Sequence, residues 1–420
     1  MGLFKHQQTV LNETESQNKV AYYLDMGLGK TYVGSEKMAQ LGAKVNLVIC
    51  QKSKVDDWVN HFVENYGLDV FDLTKTKGIE FMFNNIELGL PVIGVINYDL
   101  VWRRKELSNL KDFTLMLDES SLIQHATSKR TKFIIKKLKP INVILLSGTP
   151  TGGKYENLMT QINLLGWNIS EDMFWNHYID WEWNETDDGF WQKKINGYKN
   201  VERLNRKLRQ HGCVFLKTDE VLDLPIQNDI IKKIPSTKEY KTFKKDRVIE
   251  LSDGTEFVGD TILTQIGCER QLCSVHNADK VDAFRDLLES TEDRIIVFYN
   301  YNIELNILMH VCDVLGRDSS IVNGQTKDLY AYDNKNDSVT FVQYQAGAMG
   351  LNLQKANKII YFTPPLSSEL FEQSKKRIHR IGQDKPCYYY YLICKGSIEE
   401  RIYETLAMRR DYTEQLFVNL

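Results

Sequence analysis

The chain has 420 residues, a formal net charge of −3, 42% hydrophobic residues and 26% charged residues. This length predicts two or three domains, and the composition is that of an ordinary globular protein with full-sized cores. No apolar run is long enough to cross a bilayer, and the first ten residues lack the apolar core of a signal peptide. We therefore predict a cytoplasmic protein without a membrane-bound part, in which any basic surface is local.

An apolar run followed by two glycines, a lysine and a threonine occurs near the start of the chain, in YYLDMGLGKTYV, residues 22–33. In a phosphate-binding loop, successive backbone N–H groups form a nest for the β-phosphate, and the following helix adds its positive dipole end. Lys30 would neutralise the β- and γ-phosphates, and the Thr31 hydroxyl would ligate Mg²⁺. The fully spaced pattern requires glycine at Leu24, so the match is to a helicase-like variant. An ordinary tight turn with a surface lysine is the alternative. The predicted nucleotide-binding backbone comprises Gly27, Leu28, Gly29 and Lys30.

Eight short apolar runs, rich in Val, Ile and Tyr, predict buried strands of parallel sheets. These runs are VNLVIC, PVIGVINY, TLMLDES, NVILLSGTP, RIIVFYN, SVTFVQY, KIIYFTP and CYYYYLIC. Helix-length segments lie between them, such as Ser53 to Asn65, Lys129 to Leu138 and Leu370 to Ile381. This alternation predicts an α/β fold with ligands beyond the carboxyl ends of the strands.

Two adjacent carboxylates, Asp118 and Glu119, end one of these runs. Beside a phosphate loop they are typical of a site that handles magnesium and water, whereas a helix cap plus a surface charge is the alternative. We predict that Asp118 holds the metal and that Glu119 polarises the attacking water. The run LLSGTP, residues 145–150, ends another strand with hydroxyl groups beside a turn.

The alternation lapses between about residues 167 and 281, where five of the seven tryptophans lie between Trp167 and Trp191. Large aromatic side chains usually fill cores, so we predict a small helical insertion, with stacking on nucleic-acid bases as the alternative. The predicted organisation is an ATP-binding α/β domain at residues 1–165, helical insertions and a linker at 166–292, and a second α/β domain at 293–420. The seven cysteines are scattered without a Cys-x-x-Cys pair, which favours reduced, mostly buried thiols.

In their order, these motifs resemble those of superfamily-two helicase-like ATPases, and more narrowly the Swi/Snf family of DNA translocases. LFKHQ resembles the adenine-reading motif, with Gln7 as its glutamine, and VICQKSKVDDWVNHF places Trp58 where the family has a tryptophan. The resemblance implies two RecA-like parallel-sheet domains with helical insertions between them. It also implies ATP and Mg²⁺ as ligands and double-stranded DNA as the partner of a monomer.

The C-terminal half carries the more specific resemblance. QAGAMGLNL, residues 345–353, resembles motif V, which implies Gly350 and Asn352 as nucleotide ligands, and EQSKKRIHRIGQDKP resembles motif VI. Arg377 and Arg380 are three residues apart, so a helix would place them on one face, from which both would reach the γ-phosphate as catalytic residues when the domains close. A basic, solvated helix face is the alternative.

The middle segments FWNHYIDWEWN and NVERLNRKLRQHGCVFLKTDEVLDLP resemble the insertion of the annealing-helicase branch, and ERQLCS makes Cys268 and Cys273 helix residues rather than metal ligands. The chain ends soon after motif VI. In this respect it resembles a minimal motor familiar from bacteriophage genomes, which implies a bacterial host cytoplasm. In two places the chain departs from the family. Ser121 stands where the family usually has histidine, which predicts loose coupling of hydrolysis to DNA, and CVFLKTDE replaces an arginine-rich stretch.

The sequence therefore predicts an ATP-dependent translocase that contacts the backbone of duplex DNA without base specificity. No segment resembles a hairpin wedge for separating bases, so we expect tracking without opening. Two alternatives remain, a strand-separating helicase on RNA or single-stranded DNA and a nucleotide-gated DNA-binding protein with weak hydrolysis. HRIGQ favours the translocase over the helicase, and the acid pair and both arginines favour hydrolysis over gating.

Overall fold

The structure, a computed structural model, describes residues 2–185, 189–347 and 351–417. The chain forms two compact units, residues 1–221 with 411–420 and residues 222–410. Each unit is built on a sheet of parallel strands covered by helices, which confirms the predicted α/β fold class. Among the described helices, none is long and apolar enough to span a lipid bilayer.

The first unit alternates strands and helices over most of its length. Its described strands are β1 (Lys19–Leu24), β2 (Val45–Cys50), β3 (Val70–Asp72), β4 (Val92–Asn97), β5 (Phe113–Asp118), β6 (Asn142–Ser147), β7 (Ile179–Glu185), β8 (Trp191–Tyr198) and β9 (Cys213–Leu216). Its described α-helices are α1 (Lys5–Glu13), α2 (Lys30–Leu41), α3 (Val55–Tyr66), α4 (Thr76–Glu87), α5 (Tyr98–Val101), α6 (Lys129–Lys136), α7 (Met159–Leu164), α8 (Glu171–Tyr178) and α9 (Val201–Gln210). Short 3₁₀ helices span Lys52–Lys54, Lys105–Asn109, Ser120–Ile123, Tyr155–Leu158 and Thr218–Glu220.

The main sheet of the first unit has the strand order β3-β4-β2-β5-β6-β1-β9, and all its pairs are parallel. The central strands are buried along nearly their whole length because they are almost entirely apolar. Strands β1, β5 and β6 are neighbours, so the segments that follow Leu24, Asp118 and Ser147 meet at one edge of the sheet. This edge brings the phosphate loop, the acid pair and the LLSGTP turn together.

The segment predicted as insertions and linker, residues 166–292, is divided between the two units. Its run CVFL forms β9, which pairs with β1 in the register Leu24 to Leu216 and completes the first sheet. Farther along, Gln227–Ile234 forms a strand of the second sheet. The four-residue apolar run CVFL carries too little periodicity to be assigned from sequence, so β9 was absent from the prediction.

The tryptophan-rich segment is only partly helical. After α8 it forms the antiparallel hairpin of β7 and β8, in which Trp183 pairs with Lys193. Trp167, Trp175 and Trp181 pack against the core of the first unit, as the core interpretation predicted. By contrast, the side chains of Trp183 and Trp191 are 57% and 63% exposed. This exposed aromatic hairpin was not predicted from the sequence, and the expectation of tracking without strand opening stays a prediction.

The end of the chain packs into the first unit. The Tyr155 hydroxyl donates a hydrogen bond of 2.8 Å to the backbone carbonyl of Tyr412, and the rings of Phe215 and Phe417 are 5.3 Å apart. Leu416 and Phe417 are buried members of the first unit's core. Residues 411–417 thus complete that core, although the rest of the unit ends near residue 221.

The second unit repeats the alternation of strands and helices. Its described strands are β10 (Gln227–Ile234), β11 (Val248–Glu250), β12 (Glu256–Val258), β13 (Ile295–Tyr299), β14 (Ser319–Val322), β15 (Lys327–Asp328), β16 (Val339–Gln343), β17 (Lys358–Tyr361) and β18 (Cys387–Cys394). Its described α-helices are α10 (Lys238–Asp246), α11 (Ile262–Leu272), α12 (Ala278–Glu289), α13 (Asn302–Val314), α14 (Tyr330–Asn334), α15 (Tyr344–Gly347), α16 (Ser368–Lys375) and α17 (Ile398–Phe417), the last of which ends in the first unit.

The main sheet of the second unit has the order β10-β18-β17-β13-β16-β14-β15, and only the last pair is antiparallel among the described strands. All eight predicted apolar runs form strands in one of the two sheets. Cysteine side chains lie mainly in the cores, and of the seven free thiols only that of Cys268 is partly exposed.

A fully buried ion pair links α12 to the start of α17. The Lys280 ammonium lies 2.6 Å from a carboxylate oxygen of Glu399, and the backbone N–H of Cys394 donates to the other oxygen. Sulfur atoms of Cys273 and Cys394 lie near the same carboxylate, within 4.8 Å. Because the lysine already neutralises this carboxylate, the cluster is better suited to holding the two helices together than to binding a metal ion.

Lys280→Met is expected to lower the free energy of unfolding by about 3–5 kcal/mol, because it leaves the Glu399 carboxylate buried without its cation. Urea unfolding of the full chain, followed by circular dichroism, measures the change. The double variant Lys280→Met/Glu399→Gln should recover part of the loss because no unbalanced charge remains. Lys232→Met, which removes the exposed pair with Asp286, should change stability by less than about 1 kcal/mol. Equal losses in the two single variants would contradict the prediction.

Candidate nucleotide-binding site

The loop between β1 and α2 has the backbone of a phosphate-binding nest. Gly27 and Gly29 have φ angles of 86° and 76°, in the left-handed region that glycine adopts without strain. Helix α2 begins directly after Gly29, at Lys30, so the N–H groups of its first turn face the loop. This backbone geometry fits the predicted anion-binding helix terminus, and the assignment of its phosphate ligands stays a prediction.

Gln7 packs directly on this loop. Its amide nitrogen donates a hydrogen bond of 3.1 Å to the carbonyl of Leu28, and its amide oxygen accepts from the backbone N–H of Phe4. A Cβ atom on Gly29 would lie 2.2 Å from the Gln7 amide nitrogen and would displace that side chain, and the φ of 76° also favours glycine there. The structure thus places the predicted adenine-reading residue beside the phosphate loop.

Lys30 lies between the loop and the LLSGTP turn. Its ammonium group donates to the carbonyls of Leu24 and Asp25, at 2.9 and 3.3 Å. From the turn, a Cβ on Gly148 would approach this ammonium to 3.3 Å and the Met26 side chain to 3.5 Å. A glycine at this position therefore leaves room for the lysine head group.

Asp118 is fixed at the end of β5 by two aromatic side chains. The indole N–H of Trp58 donates a hydrogen bond of 2.8 Å to a carboxylate oxygen of Asp118. The Tyr98 hydroxyl donates at 2.9 Å to the backbone carbonyl of Asp118. Sequence reasoning singled out Trp58 but gave it no role, and the structure makes it a positioning residue for the predicted metal ligand.

Glu119 has a backbone conformation that is unusual for its residue type, with φ 57° and ψ 61°. One carboxylate oxygen of Glu119 accepts hydrogen bonds from the Ser147 hydroxyl at 2.7 Å and from the Ser121 hydroxyl at 3.3 Å. Ser121 and Ser147 therefore donate hydrogen bonds to the same carboxylate oxygen of Glu119, the predicted catalytic residue. Ser121 is the residue that departs from the family pattern, and Ser147 belongs to the LLSGTP turn. The predicted effect of Ser121 on coupling stays a prediction.

Burial dominates the electrostatics of the acid pair. Desolvation raises the pKa of Asp118, and the hydrogen bond from Trp58 and the charge of Lys30 oppose this shift. Desolvation also raises the pKa of Glu119, where the Lys30 charge again opposes it and the negative charge of Asp118 adds to it. Both carboxylates are therefore protonated at a higher pH than exposed carboxylates are.

Two further side chains of this site were not predicted. The Thr218 hydroxyl donates a hydrogen bond of 2.8 Å to the carboxylate of Asp25, which precedes the loop glycines. The other Asp25 oxygen accepts from the backbone N–H of Met26. Thr218 follows β9, so the CVFLKTDE segment braces the phosphate loop. The only signal in the sequence was the short apolar run before Lys-Thr-Asp.

The residues present fit a nucleotide with Mg²⁺. The glycine nest and the Lys30 ammonium suit phosphate oxygens, while the Thr31 hydroxyl and the Asp118 carboxylate are the hard oxygen donors that Mg²⁺ prefers. Thr31 is half-buried in the first turn of α2, and Asp118 is half-buried at the end of β5. These two side chains are the ones that would hold the metal.

In the second unit, the motif VI arginines follow a helix rather than lying in one. Helix α16 ends at Lys375, and Arg377 and Arg380 lie in the turn beyond it, so the prediction of one shared helix face is wrong. Hydrogen bonds to other segments shape this turn. The Gln383 amide lies within 3.2 Å of three backbone carbonyls, and the His379 ring lies 2.9 Å from the carbonyl of Pro225.

Motifs V and VI are joined within the second unit. The backbone N–H of Leu353 donates a hydrogen bond of 3.2 Å to the carbonyl of Arg377. Asn352 is exposed, whereas Gly350, the other predicted ligand of motif V, lies outside the described residues. Arg377 is buried and Arg380 is half-buried, and desolvation lowers the pKa of Arg380. Their predicted catalytic role stays a prediction.

Trp58→Phe is expected to shift the acidic limb of the pH dependence of kcat to higher pH. The substitution removes a hydrogen bond that stabilises the charged form of Asp118, so the raised pKa of this carboxylate rises further. The ring contact with Phe62 should survive. ATP hydrolysis measured across a pH series tests this, with Trp102→Phe as the matched control. Superimposable profiles for Trp58→Phe and wild type would contradict it.

Together, the two parallel-sheet units, the phosphate loop and the acid pair define a helicase-like ATPase. The family model described as SNF2-related domain matches residues 12–278, and the model described as helicase conserved C-terminal domain matches residues 279–382. The chain belongs to the SNF2-related family, within helicase superfamily two.

Two relatives of this family align with more than nine tenths of the chain. A mouse SWI/SNF-related matrix-associated actin-dependent regulator of chromatin, subfamily A member 1, is 26% identical over 92% of the chain and 40% of the mouse protein. The putative ATP-dependent helicase/translocase YwqA of Bacillus subtilis is 24% identical over 93% of the chain and 46% of YwqA. The chain thus spans less than half the length of these relatives.

Among solved structures, the chain is similar to a Sulfolobus solfataricus SWI2/SNF2 ATPase core determined in complex with double-stranded DNA. The sequence identity is 19%, the TM-score is 0.47, and the alignment covers 99% of this chain and 92% of the Sulfolobus chain.

Proposed function

We propose that the chain is an ATP-dependent translocase on double-stranded DNA. The observation that carries the catalytic part is the position of Glu119, whose carboxylate is held by Ser147 and Ser121 beside the phosphate loop. A fixed, deprotonated carboxylate at this place orients and polarises the water that attacks the γ-phosphate.

The other residues of the site have separate tasks in this proposal. Gln7 reads the adenine, the loop from Gly27 to Lys30 holds the phosphates, and Arg377 and Arg380 stabilise the charge that develops on the transferred phosphoryl group. Mg²⁺, held by Thr31 and Asp118, would supply charge neutralisation of the phosphates. Trp58 keeps the Asp118 carboxylate oriented.

The choice of duplex DNA rests on the resemblance of motif VI and on the relatives. HRIGQ is typical of the Swi/Snf branch, and the named relatives include a regulator of chromatin and a helicase/translocase. A motor that steps along any sequence requires contacts with the phosphate backbone rather than with base edges.

Steady-state ATP hydrolysis without nucleic acid and with duplex DNA, single-stranded DNA or RNA tests the substrate class. We expect the largest stimulation with duplex DNA, and Lys30→Ala serves as the inactive control. Appreciable hydrolysis without DNA is also expected, because Ser121 replaces the usual histidine. Stimulation by RNA or single strands alone would overturn the proposal.

Tracking and strand separation are distinguished by two DNA substrates. Displacement of a triplex-forming third strand reports movement along duplex, and release of a labelled strand from a fork reports unwinding. We expect ATP-dependent displacement of the third strand. Strong release from the fork without triplex displacement would favour the strand-separating alternative.

The exposed hairpin supports strand separation or annealing as a second candidate function. Aromatic rings stack on unpaired bases, and Trp183 and Trp191 lie open to solvent on β7 and β8. If the hairpin acts on open DNA, Trp183→Ala/Trp191→Ala should reduce activity on the fork while triplex displacement is unchanged. Phe81→Ala, which removes an exposed ring on α4, is the matched control. Equal fork activity in all three proteins would exclude this role.

A further inference from the structure

A lysine-lined pocket lies in the second unit, between α10 and the segment that follows β18. It has a volume of about 320 Å³ and is open to solvent. Among the residues that the structure describes, its lining includes Lys241, Lys244, Lys245 and Lys395, together with Ser236 and Tyr240, and no carboxylate. In a chain with a net charge of −3, four cations around one concavity are a local concentration of positive charge.

Helix α10 supplies three of the four pocket lysines, Lys241, Lys244 and Lys245. Lys241 and Lys245 are four residues apart, which places them on the same side of the helix, and the Lys244 ammonium donates a hydrogen bond of 3.2 Å to the carbonyl of Gly396, which also lines the pocket. Tyr240 and Phe243 are buried in the core beneath the helix, and Tyr240 also lines the pocket. Lys241, Lys244 and Lys245 are exposed around this pocket.

The pocket lies at the carboxyl-end edge of the second sheet. Strands β10 and β18 end side by side, with Ile234 paired to Cys394, and the backbone N–H of Lys395 donates to the Ile234 carbonyl. The Ser236 hydroxyl donates to the carbonyl of Lys395, which joins the two chain segments that leave the sheet. Ligands of open α/β sheets bind outside the carboxyl ends of strands, and this pocket lies at such ends.

The pocket lysines differ from those on the adjoining strand. On β10, Lys232 and Lys233 are paired with Asp286 and Glu400. Within the part of the chain that the structure describes, neither Lys241 nor Lys245 forms an ion pair. Like charges held close together repel, so an anion that bridges them would be bound favourably.

We propose that this pocket binds phosphate groups of the DNA backbone. The inference rests on the proposed function and adds to it a set of contacts outside the ATPase motifs. Lysine ammonium groups are flexible point charges without a fixed fork, which suits a backbone that moves past the protein in any sequence. Inorganic phosphate or pyrophosphate would offer the same chemistry as a free ligand.

The test compares the salt dependence of duplex binding by wild type and by Lys241→Gln/Lys245→Gln. Each phosphate contact contributes about 0.9 to the slope of log K against log salt, so the double variant should lose about 1.8. Fluorescence anisotropy with a labelled duplex measures the slope. The control variant Lys335→Gln/Lys355→Gln removes two exposed lysines that precede β16 and β17, at the amino ends of the strands of the same sheet. This variant should leave the slope unchanged.

Two controls make the result specific. Thermal unfolding and DNA-free ATP hydrolysis of Lys241→Gln/Lys245→Gln should match wild type, since neither lysine belongs to the nucleotide site. Pyrophosphate is added to both proteins in the thermal assay to detect a free-anion site. If pyrophosphate raises the unfolding temperature of wild type but not of the variant, and the two proteins have equal salt slopes for DNA binding, the ligand of the pocket is a free phosphate rather than the DNA backbone.

The outcomes separate this inference from the proposed function. If wild type binds duplex DNA and Lys241→Gln/Lys245→Gln shows the same salt slope, the pocket is not a DNA contact. The translocase proposal would then stay intact. No duplex binding by wild type would overturn both. A slope reduced by about 1.8 only in the pocket variant would support the inference.

Discussion

Glu119→Gln is expected to bind ATP with nearly unchanged affinity while the rate of hydrolysis falls by a factor of about 10² to 10⁴. The amide keeps the size of the side chain and hydrogen-bonding capacity toward Ser147 and Ser121, but it cannot act on the attacking water as a carboxylate does. Equilibrium binding of a fluorescent ATP analogue and single-turnover hydrolysis measure the two effects separately.

Lys30→Ala is the partner experiment, because it should abolish hydrolysis by weakening phosphate binding itself. The two variants together separate binding from chemistry. The raised pKa of Glu119 adds a pH criterion, since the active carboxylate form is lost on acidification at a higher pH than usual. Near wild-type turnover in Glu119→Gln would remove Glu119 from its role.

Arg377→Ala and Arg380→Ala are each expected to reduce ATP hydrolysis by about 10³ to 10⁵, as for arginines that stabilise transition-state charge in phosphoryl transfer. ATP affinity should change far less, because the interaction strengthens as the γ-phosphoryl group is transferred. The same binding and single-turnover measurements apply. Arg401→Ala, which removes an exposed arginine on α17, should retain activity.

Arg380→Lys adds a finer criterion. Lysine keeps the positive charge but lacks the planar fork of the guanidinium group, so hydrolysis should remain well below wild type. A collapse of nucleotide binding in the alanine variants would instead make both arginines ground-state ligands. The present position of the pair, in a turn rather than on a helix face, does not alter these expectations.

The central strands and the nucleotide site could be predicted because their signals are local. Runs such as VNLVIC and NVILLS are apolar along their whole length, which identifies strands buried on both faces. The phosphate loop and the acid pair directly follow such strands, so the rule for parallel sheets placed them at one edge.

Elements whose conformation depends on distant partners were not predictable in this way. Strand β10, QNDIIKKI, is largely exposed and is defined by its pairing with β18, more than 150 residues later. Helix α16 ends before Arg377 although its sequence continues a helical pattern. The hydrogen bonds of His379 and Gln383 hold the turn that follows. Sequence spacing contains no information about such partners.

The same limit applies to Trp58 and Thr218 in the candidate site. Trp58 bonds to a carboxylate 60 residues away, and Thr218 bonds to Asp25 across 193 residues. Both pairs of partners are brought together only by the strand order of the folded sheet. Positioning residues of this kind are encoded in the fold rather than in a local motif.

The packing of residues 411–417 into the first unit has a consequence for biosynthesis. Tyr155 leaves the ribosome 257 residues before Tyr412, whose carbonyl its hydroxyl will bond. At roughly 5–20 residues per second, synthesis of the intervening second unit takes about ten to forty seconds. During that interval the nascent first unit lacks Leu416 and Phe417, so part of its core is open to water and to chaperones. Translation speed through residues 222–410 thereby sets how long an unfinished domain must be protected.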